Sequence, residues 1–225
     1  MKIAVLGTGM VGRTLAARLA ELGHAVTVGT RDPQATLART APDPMGGDAY
    51  ATWAADNPGV TVSTFAKAAA GAELIVNATN GGASLDVLAQ AGAENLAGKA
   101  IIDIANPLDF SNGMPPTLFV KDTDSLGEQI QRAFPASRVV KTLNTLNADL
   151  MARPAQLTDP GTVFVSGNDA DAKDTVTTLL KEFGHQDVID LGDITTARGT
   201  EMLLAVWLRL WGALGTPEFN FKIVR

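Results

Sequence analysis

The sequence predicts a doubly wound α/β fold: a mainly parallel sheet with helices on both faces and a small C-terminal α/β elaboration. Three observations carry that expectation. Short apolar strands alternate with helical segments along most of the chain, which specifies a parallel sheet. A glycine-rich turn, Gly7-Thr8-Gly9-Met10-Val11-Gly12, joins the first strand to the first helix. With 225 residues and 46% hydrophobic content, the chain can bury a substantial core.

Lys2-Ile3-Ala4-Val5-Leu6 is the first strand, and Arg13 to Leu22 the first helix, with Leu15, Leu19 and Leu22 at helical spacing. Gly23 stops that helix before the second strand, Ala25-Val26-Thr27-Val28, which leads to Thr30-Arg31. Asp32-Pro33 reads as an N-cap followed by proline at the first helical position, opening a helix to about Thr40. Residues 41–59 read as loop, broken by Ala41-Pro42-Asp43-Pro44-Met45-Gly46-Gly47, with a short helix near Trp53. Strands follow at 60–62, 73–78, 100–104 and 139–143, and helices at 65–70, 84–91 and 125–134. Beyond Pro160 come strand 162–166, helix 169–183, strand 187–191 and a final helix 197–214. The expected organisation is a Rossmann-type nucleotide-binding domain over 1–150 and a smaller C-terminal portion over 151–225 that completes a second-substrate pocket.

The G-x-G-x-x-G spacing suits a dinucleotide. Gly7 permits the tight turn, Gly9 lets backbone approach a pyrophosphate, and Gly12 lets the helix pack on the strand. Unpaired N–H groups at the helix start then favour phosphate. Dinucleotide sites selective for NAD place a carboxylate at the end of the second strand; here the position is Thr30, followed by Arg31. A hydroxyl and a guanidinium both donate to a 2′-phosphate, so NADP is favoured. Asp32 could act as a displaced acid for NAD, although its place before Pro33 suits a helix cap better.

Composition excludes several classes. A net charge of −6 without clustered Lys and Arg argues against nucleic acid. With 0 cysteines there is no disulfide, thiolate catalysis or cysteine metal site, and no His or carboxylate cluster has metal spacing. The apolar stretch Met202 to Leu214 contains Arg209 and is too short to span a bilayer. No signal peptide precedes the strand at Lys2, so no membrane association and a cytoplasmic location are expected. The C-terminal apolar helix suggests a homodimer.

Ligands in such folds sit at the carboxyl ends of the strands. Besides the first turn and Thr30-Arg31, those ends carry Thr79-Asn80-Gly81, Asn106 and Asn144, with Ala148 counted in the same cofactor pocket. Their amides and hydroxyls could hold a nicotinamide and its ribose, or simply cap loops. General acid–base groups are sparse, and no catalytic side chain is assigned. His24 and His185 each follow a helix-stopping glycine and read as structural, Asp103 lies within a strand, and Lys141 is likewise a strand residue. This inventory suits hydride exchange between two ring cofactors, where positioning does the work. Trp207, Trp211 and Phe219 could wall a flavin-like ring, or serve as core or dimer residues. Two other readings stay open: an NADPH-binding sensor or partner-binding module without turnover, and a dehydrogenase of a small organic substrate, for which Lys141 is the candidate acid.

Nearly the whole chain resembles a known family, the NADPH-dependent reductases of the deazaflavin coenzyme F-420, with the related NADPH-oxidoreductase domain of the STEAP metalloreductases. Gly7 to Gly12, Val28-Gly29-Thr30-Arg31, Ile102 to Pro107, Val139 to Thr145, and Asp190-Leu191-Gly192 through Ala197-Arg198 carry the resemblance, in order. It implies NADP in the first two segments, with Thr30 and Arg31 on the 2′-phosphate. It also implies coenzyme F-420, or FMN or FAD, over the nicotinamide, beside Asn144-Thr145-Leu146 and the C-terminal helix. The deazaflavin reductases carry a histidine where this chain has Asn144, and the metalloreductase branch an asparagine.

Overall fold

A computed structural model of the chain describes residues 1–43 and 47–225. The expected break over 41–47 therefore falls partly on residues 44–46, which lie outside the described residues. In chain order the elements are β1 (Lys2–Leu6), α1 (Met10–Glu21), β2 (Ala25–Thr30), α2 (Pro33–Leu37), α3 (Tyr50–Asp56), β3 (Val60–Thr64), α4 (Phe65–Gly71) and β4 (Leu74–Asn77). Then come α5 (Ser84–Ala91), α6 (Ala93–Leu96), β5 (Ala100–Asp103), a hairpin of β6 (Leu108–Asp109) and β7 (Thr117–Leu118), α7 (Leu126–Ala133) and β8 (Arg138–Lys141). The chain finishes with α8 (Ala148–Ala152), β9 (Thr162–Gly167), α9 (Ala170–Phe183), β10 (Asp187–Gly192) and α10 (Ala197–Leu214).

The main sheet has 8 strands in the order β10-β9-β8-β5-β4-β1-β2-β3. Its central strands are short and buried on both faces, as parallel strands covered by helices must be: Leu74–Asn77 has no exposed residue, and neither do Ile101 to Asp103. Two apolar clusters divide the core by face. Leu15 and Leu19 of α1, Tyr50 of α3, Leu150 of α8 and Leu179 of α9 cover one side. Phe65 of α4, Leu88 of α5, Leu96 of α6 and Ile130 of α7 cover the other.

Helices start where short polar side chains can satisfy the first free N–H groups. Asp32 accepts from Ala35 N at 3.0 Å, Ser125 from Glu128 N at 3.1 Å and Asp169 from Ala172 N at 2.8 Å. Asp32 is thus the N-cap that its neighbour Pro33 suggests. Helix α1 begins at Met10 rather than Arg13, because the glycine-rich turn itself is the entry to the helix and Gly9 is its N-cap.

The sheet departs from parallel at one join. Strand β9 runs antiparallel to β8, with Lys141 opposite Ser166. Since Lys141 ends β8 and Ser166 is near the end of β9, the start of β9 projects past the carboxyl end of β8. The C-terminal segment follows it there: Thr162 N donates to Phe221 O at 2.8 Å, and Asn147 Nδ2 to Pro217 O at 2.7 Å. The last segment is therefore laid beside the carboxyl ends of the parallel strands. Among the described residues no helix is long and apolar enough to cross a membrane.

Candidate functional site

The strand register sets one row across the sheet. Gly29 pairs with Leu6, Leu6 with Asn77, Asn77 with Asp103, and Asp103 with Lys141. All five strands thus end nearly flush, and the loops after them converge on one rim. The predicted residues Gly7 to Gly12, Thr30 and Arg31, Thr79 to Gly81, Asn106 and Asn144 all lie on it, while Ala148 sits at the start of α8, which packs on α1.

The glycine turn is shaped by contacts that leave no choice of residue. Gly7 has φ +129°, and a Cβ there would collide with the Ala78 carbonyl; a Cβ on Gly12 would collide with the carbonyl of Gly7. Gly9 is different, since a Cβ on it would meet nothing within 4 Å. That opening lies where α1 starts, with no side chain capping its N–H groups and no acidic residue in its first turn. An approaching phosphate would find free backbone donors, the positive end of a helix dipole and no repelling carboxylate. The turn therefore fits a dinucleotide pyrophosphate.

At the end of β2, the Thr30 hydroxyl is buried and lies 2.8 Å from that of Thr36. Each hydroxyl keeps a second hydrogen-bonding direction, so the pair can still donate to an anion. Arg31 is exposed beside it, and among the described residues neither Arg31 nor Arg39 forms an ion pair with a carboxylate. Asp32 is committed to the α2 cap. The rim at β2 is thus hydroxyl and guanidinium, the donor set for a 2′-phosphate.

The centre of the row is a sealed polar network. Asn77 Nδ2 donates to Asp103 Oδ1 at 2.8 Å, and Lys141 Nζ to Asp103 Oδ2 at 2.9 Å. Lys141 also lies 2.9 Å from Glu201 Oε1 of α10, and it donates to the Ala105 carbonyl. Glu201 in turn accepts from the Leu126 and Gly127 N–H groups at the start of α7, at 2.9 and 3.0 Å. The side chains of Lys141, Asp103 and Glu201 are 0%, 0% and 2% exposed. Burial alone would lower the Lys141 pKa, but the two carboxylates outweigh it and hold the ammonium above its ordinary value. Two carboxylates and a carbonyl thus occupy the Lys141 ammonium, and its side chain has no exposed surface.

Thr79 belongs to the same network, donating to Asn77 Oδ1 at 2.7 Å. Asn80 caps the turn at Gly82 N, at 3.0 Å, and Gly81 is required because a Cβ would strike the Asn106 carbonyl. Asn144 is placed by strain: the preceding Leu143 has φ 60°, a left-handed conformation costing roughly 1–3 kcal/mol in a bulky residue. This turn lets Asn144 Nδ2 donate to Asn106 Oδ1 at 3.0 Å and to Thr200 O of α10 at 2.9 Å. Trp207 stacks on Phe219 at 5.4 Å and lies 5.6 Å from Trp211, so α10 and the C-terminal segment share an aromatic cluster.

Neither histidine joins this network: His24 precedes β2, at the amino ends of the parallel strands, and His185 precedes the edge strand β10. His24 lies 3.0 Å from Glu182, and buried His185 is hydrogen-bonded to the Met151 carbonyl at 3.0 Å. Among the described residues no group of His, Asp and Glu could hold a metal ion.

Sequence reasoning missed Glu201, Arg13, Arg39 and Tyr50. Glu201 was legible as a carboxylate set into an apolar helix, which demands a buried partner. Arg13 is 6% exposed and donates to Asp48 O at 2.6 Å and Asp43 at 2.8 Å, holding the segment ahead of α3. Arg39 and Tyr50 meet through α3, whose boundaries the sequence did not reveal.

Comparison with known proteins extends this geometry. Residues 2–107 match the family described as NADP oxidoreductase, coenzyme F420-dependent. A solved structure from Arthrobacter sp. FB24, provisionally named an F420-dependent NADP-reductase, is 66% identical over 100% of both chains, with a TM-score of 0.95. The metalloreductase STEAP3 of Rattus norvegicus is 27% identical over 211 residues, 93% of this chain but 38% of that protein's length. An imine reductase from Aspergillus terreus shares the fold, with 18% identity, a TM-score of 0.64, and coverage of 95% of this chain and 62% of its own.

Proposed function

Since this chain belongs to the family of coenzyme F420-dependent NADP oxidoreductases, we propose that it transfers a hydride between NADPH and a deazaflavin or flavin ring. The observation that carries this reading is the sealing of Lys141, Asp103 and Glu201. These are the titratable groups that β5, β8 and α10 bring to the centre of the row, and all are turned inward onto one another. A carbonyl or imine acceptor requires a proton at the reacting group, and the centre of this row offers none. A ring acceptor takes hydride at the central ring position, a carbon in a deazaflavin and a nitrogen in a flavin, and the proton that follows goes to another ring nitrogen that exchanges with water, so alignment of two rings suffices.

Bound NADPH supplies the hydride. The protein's residues bind and orient it. Backbone N–H groups at Gly9 to Val11 receive the pyrophosphate, and Thr30 and Arg31 receive the 2′-phosphate. Thr79, Asn80 and Asn106, on the loops after β4 and β5, would hold the nicotinamide end. Asn144, tied to both Asn106 and Thr200, fixes the separation between the nucleotide loops and α10, against which the second ring would lie.

The test is oxidation of NADPH, followed by absorbance, with coenzyme F-420, FMN and FAD offered separately. Turnover with at least one is expected. Tight NADPH binding without oxidation by any of them would refute the reading and leave a nucleotide sensor. Arg31→Ala should weaken NADPH by about tenfold or more and leave NADH nearly unchanged, as loss of a charge-assisted contact predicts. Equal losses for both nucleotides would remove Arg31 from the 2′-phosphate.

A further inference from the structure

A second guanidinium stands at the nucleotide rim, held by a device the glycine motif does not contain. Arg39 follows α2, and its carbonyl accepts from Ala51 N of α3 at 3.0 Å. Its side chain turns back over α3, with Cζ 4.9 Å from the centroid of the Tyr50 ring. One guanidinium nitrogen lies 3.5 Å from the Thr8 carbonyl, on the glycine turn itself. Arg39 is exposed and, among the described residues, has no carboxylate partner. Tyr50 is in contrast 3% exposed and packs at 5.1 Å on Trp53, so the ring is a fixed platform.

Stacking on an aromatic face engages the flat side of a guanidinium and leaves its N–H edge free. Thr8, at the limit of hydrogen-bonding distance, occupies that edge only weakly. The edge thus stands at the glycine turn, and the Arg39 backbone N–H donates to the carbonyl of Thr36, whose hydroxyl lies 2.8 Å from that of Thr30 at the end of β2. Holding a long flexible side chain in place before binding removes much of the entropy cost of fixing it on a ligand.

We propose that Arg39, positioned by Tyr50, is a second specificity-determining residue for the 2′-phosphate of NADP, acting together with Arg31. This rests on the reading that NADPH is the bound nucleotide. A phosphate dianion presents three oxygens, enough for two guanidinium groups and a hydroxyl.

The experiment measures dissociation constants for NADPH and NADH by titration calorimetry in the full chain and in Arg39→Ala, Arg39→Lys, Tyr50→Leu and Tyr50→Phe. Arg39→Ala should weaken NADPH about tenfold and NADH less than about twofold. Arg39→Lys, which keeps charge but loses the fork and the stack, should fall between. Tyr50→Leu should lower the NADPH/NADH preference, and Tyr50→Phe, which keeps the ring, should restore it. An Arg39→Ala variant that loses both nucleotides equally, or neither, overturns the proposal, the first outcome placing Arg39 on the shared adenosine and the second making it a tether for α3. If the unaltered protein shows no preference for NADPH, the NADP reading itself fails. If Arg31→Ala erases the preference and Arg39→Ala does not, only the present inference fails.

Discussion

Replacing Lys141 by Met tests the network that organises the site. The side chain that disappears is fully buried, lies 2.9 Å from each of two carboxylates and donates to the Ala105 carbonyl. Methionine fills a similar volume, so the cavity term is small and the electrostatic term dominates. What remains is Asp103 and Glu201 facing each other without a cation, partly compensated by Asn77 Nδ2 on one and by the Leu126 and Gly127 N–H groups on the other. Breaking a single buried pair costs about 3–5 kcal/mol, and here one cation serves two anions, so the upper end applies. Against a total stability of about 5–15 kcal/mol, that is a third of the fold or more. For a chain of this length, a loss of about 5 kcal/mol lowers Tm by roughly 10–20 °C. The native pKa of Lys141 is raised, so this stability is fully present below the unfolded lysine value and is lost only as pH climbs through the native one. Melts at neutral pH therefore read the whole effect. Adding Asp103→Asn to Lys141→Met removes one stranded charge, so the double variant should be more stable than the sum of single losses predicts, by about 1–3 kcal/mol. A Tm within a few degrees of the unaltered protein, or strict additivity, would refute the idea of a dry, charge-paired network.

The glycine turn allows two substitutions to be told apart. Gly7→Ala forces a Cβ onto the Ala78 carbonyl in a positive-φ conformation and should lower both Tm and nucleotide binding; Gly9→Ala meets no atom within 4 Å and should keep Tm while weakening NADPH, as calorimetry would show. Burial holds the His185 pKa below its ordinary value despite the hydrogen bond its ring donates to the Met151 carbonyl. The native state therefore favours the neutral ring, and stability is complete above about pH 6.5, falling by at most about 1.4 kcal/mol per pH unit as pH drops toward the native pKa. In urea melts at pH 7 and 5, His185→Gln should show a smaller difference than the unaltered protein.

The strand–helix alternation was legible because it rests on local signals that tertiary contacts reinforce. Ile3 to Leu6 is apolar and buried, Asp32 caps its own helix, and the glycine pattern is demanded by contacts within the same βαβ unit. The direction of β9 was not legible, since an isolated strand looks alike whichever way its neighbour runs. Nor was the wiring of the site: Lys141 meets Glu201, 60 positions further along the chain, only because α10 climbs beside the end of β8. Lys141 and Asp103 are legible as strand residues, yet their pairing with each other and with α10 depends on register that no local pattern encodes. Tyr50 and Arg39 escaped notice for a related reason, because α3 lies in a polar, loop-like stretch and is held mainly by Arg13 and by Tyr50 itself.

The same row that brings the predicted site together also limits its chemistry. Parallel strands ending flush bring their last side chains into contact, and when those are Asn77, Asp103 and Lys141 the polar groups satisfy one another before any ligand arrives. Releasing one of them to act on a substrate would leave a buried charge unpaired, at a cost comparable to Lys141→Met. The network is thus bound to a structural task, anchoring α10 through Glu201 and, through Asn77 and Thr79, the loop after β4. Both walls of the proposed reaction space hang from it: the nucleotide loops on one side, and on the other the helix carrying Trp207 and the Thr200 carbonyl that Asn144 grips. A site so constructed is stiff in the distance between its walls, and a fixed gap between two planar rings is what hydride transfer between them requires.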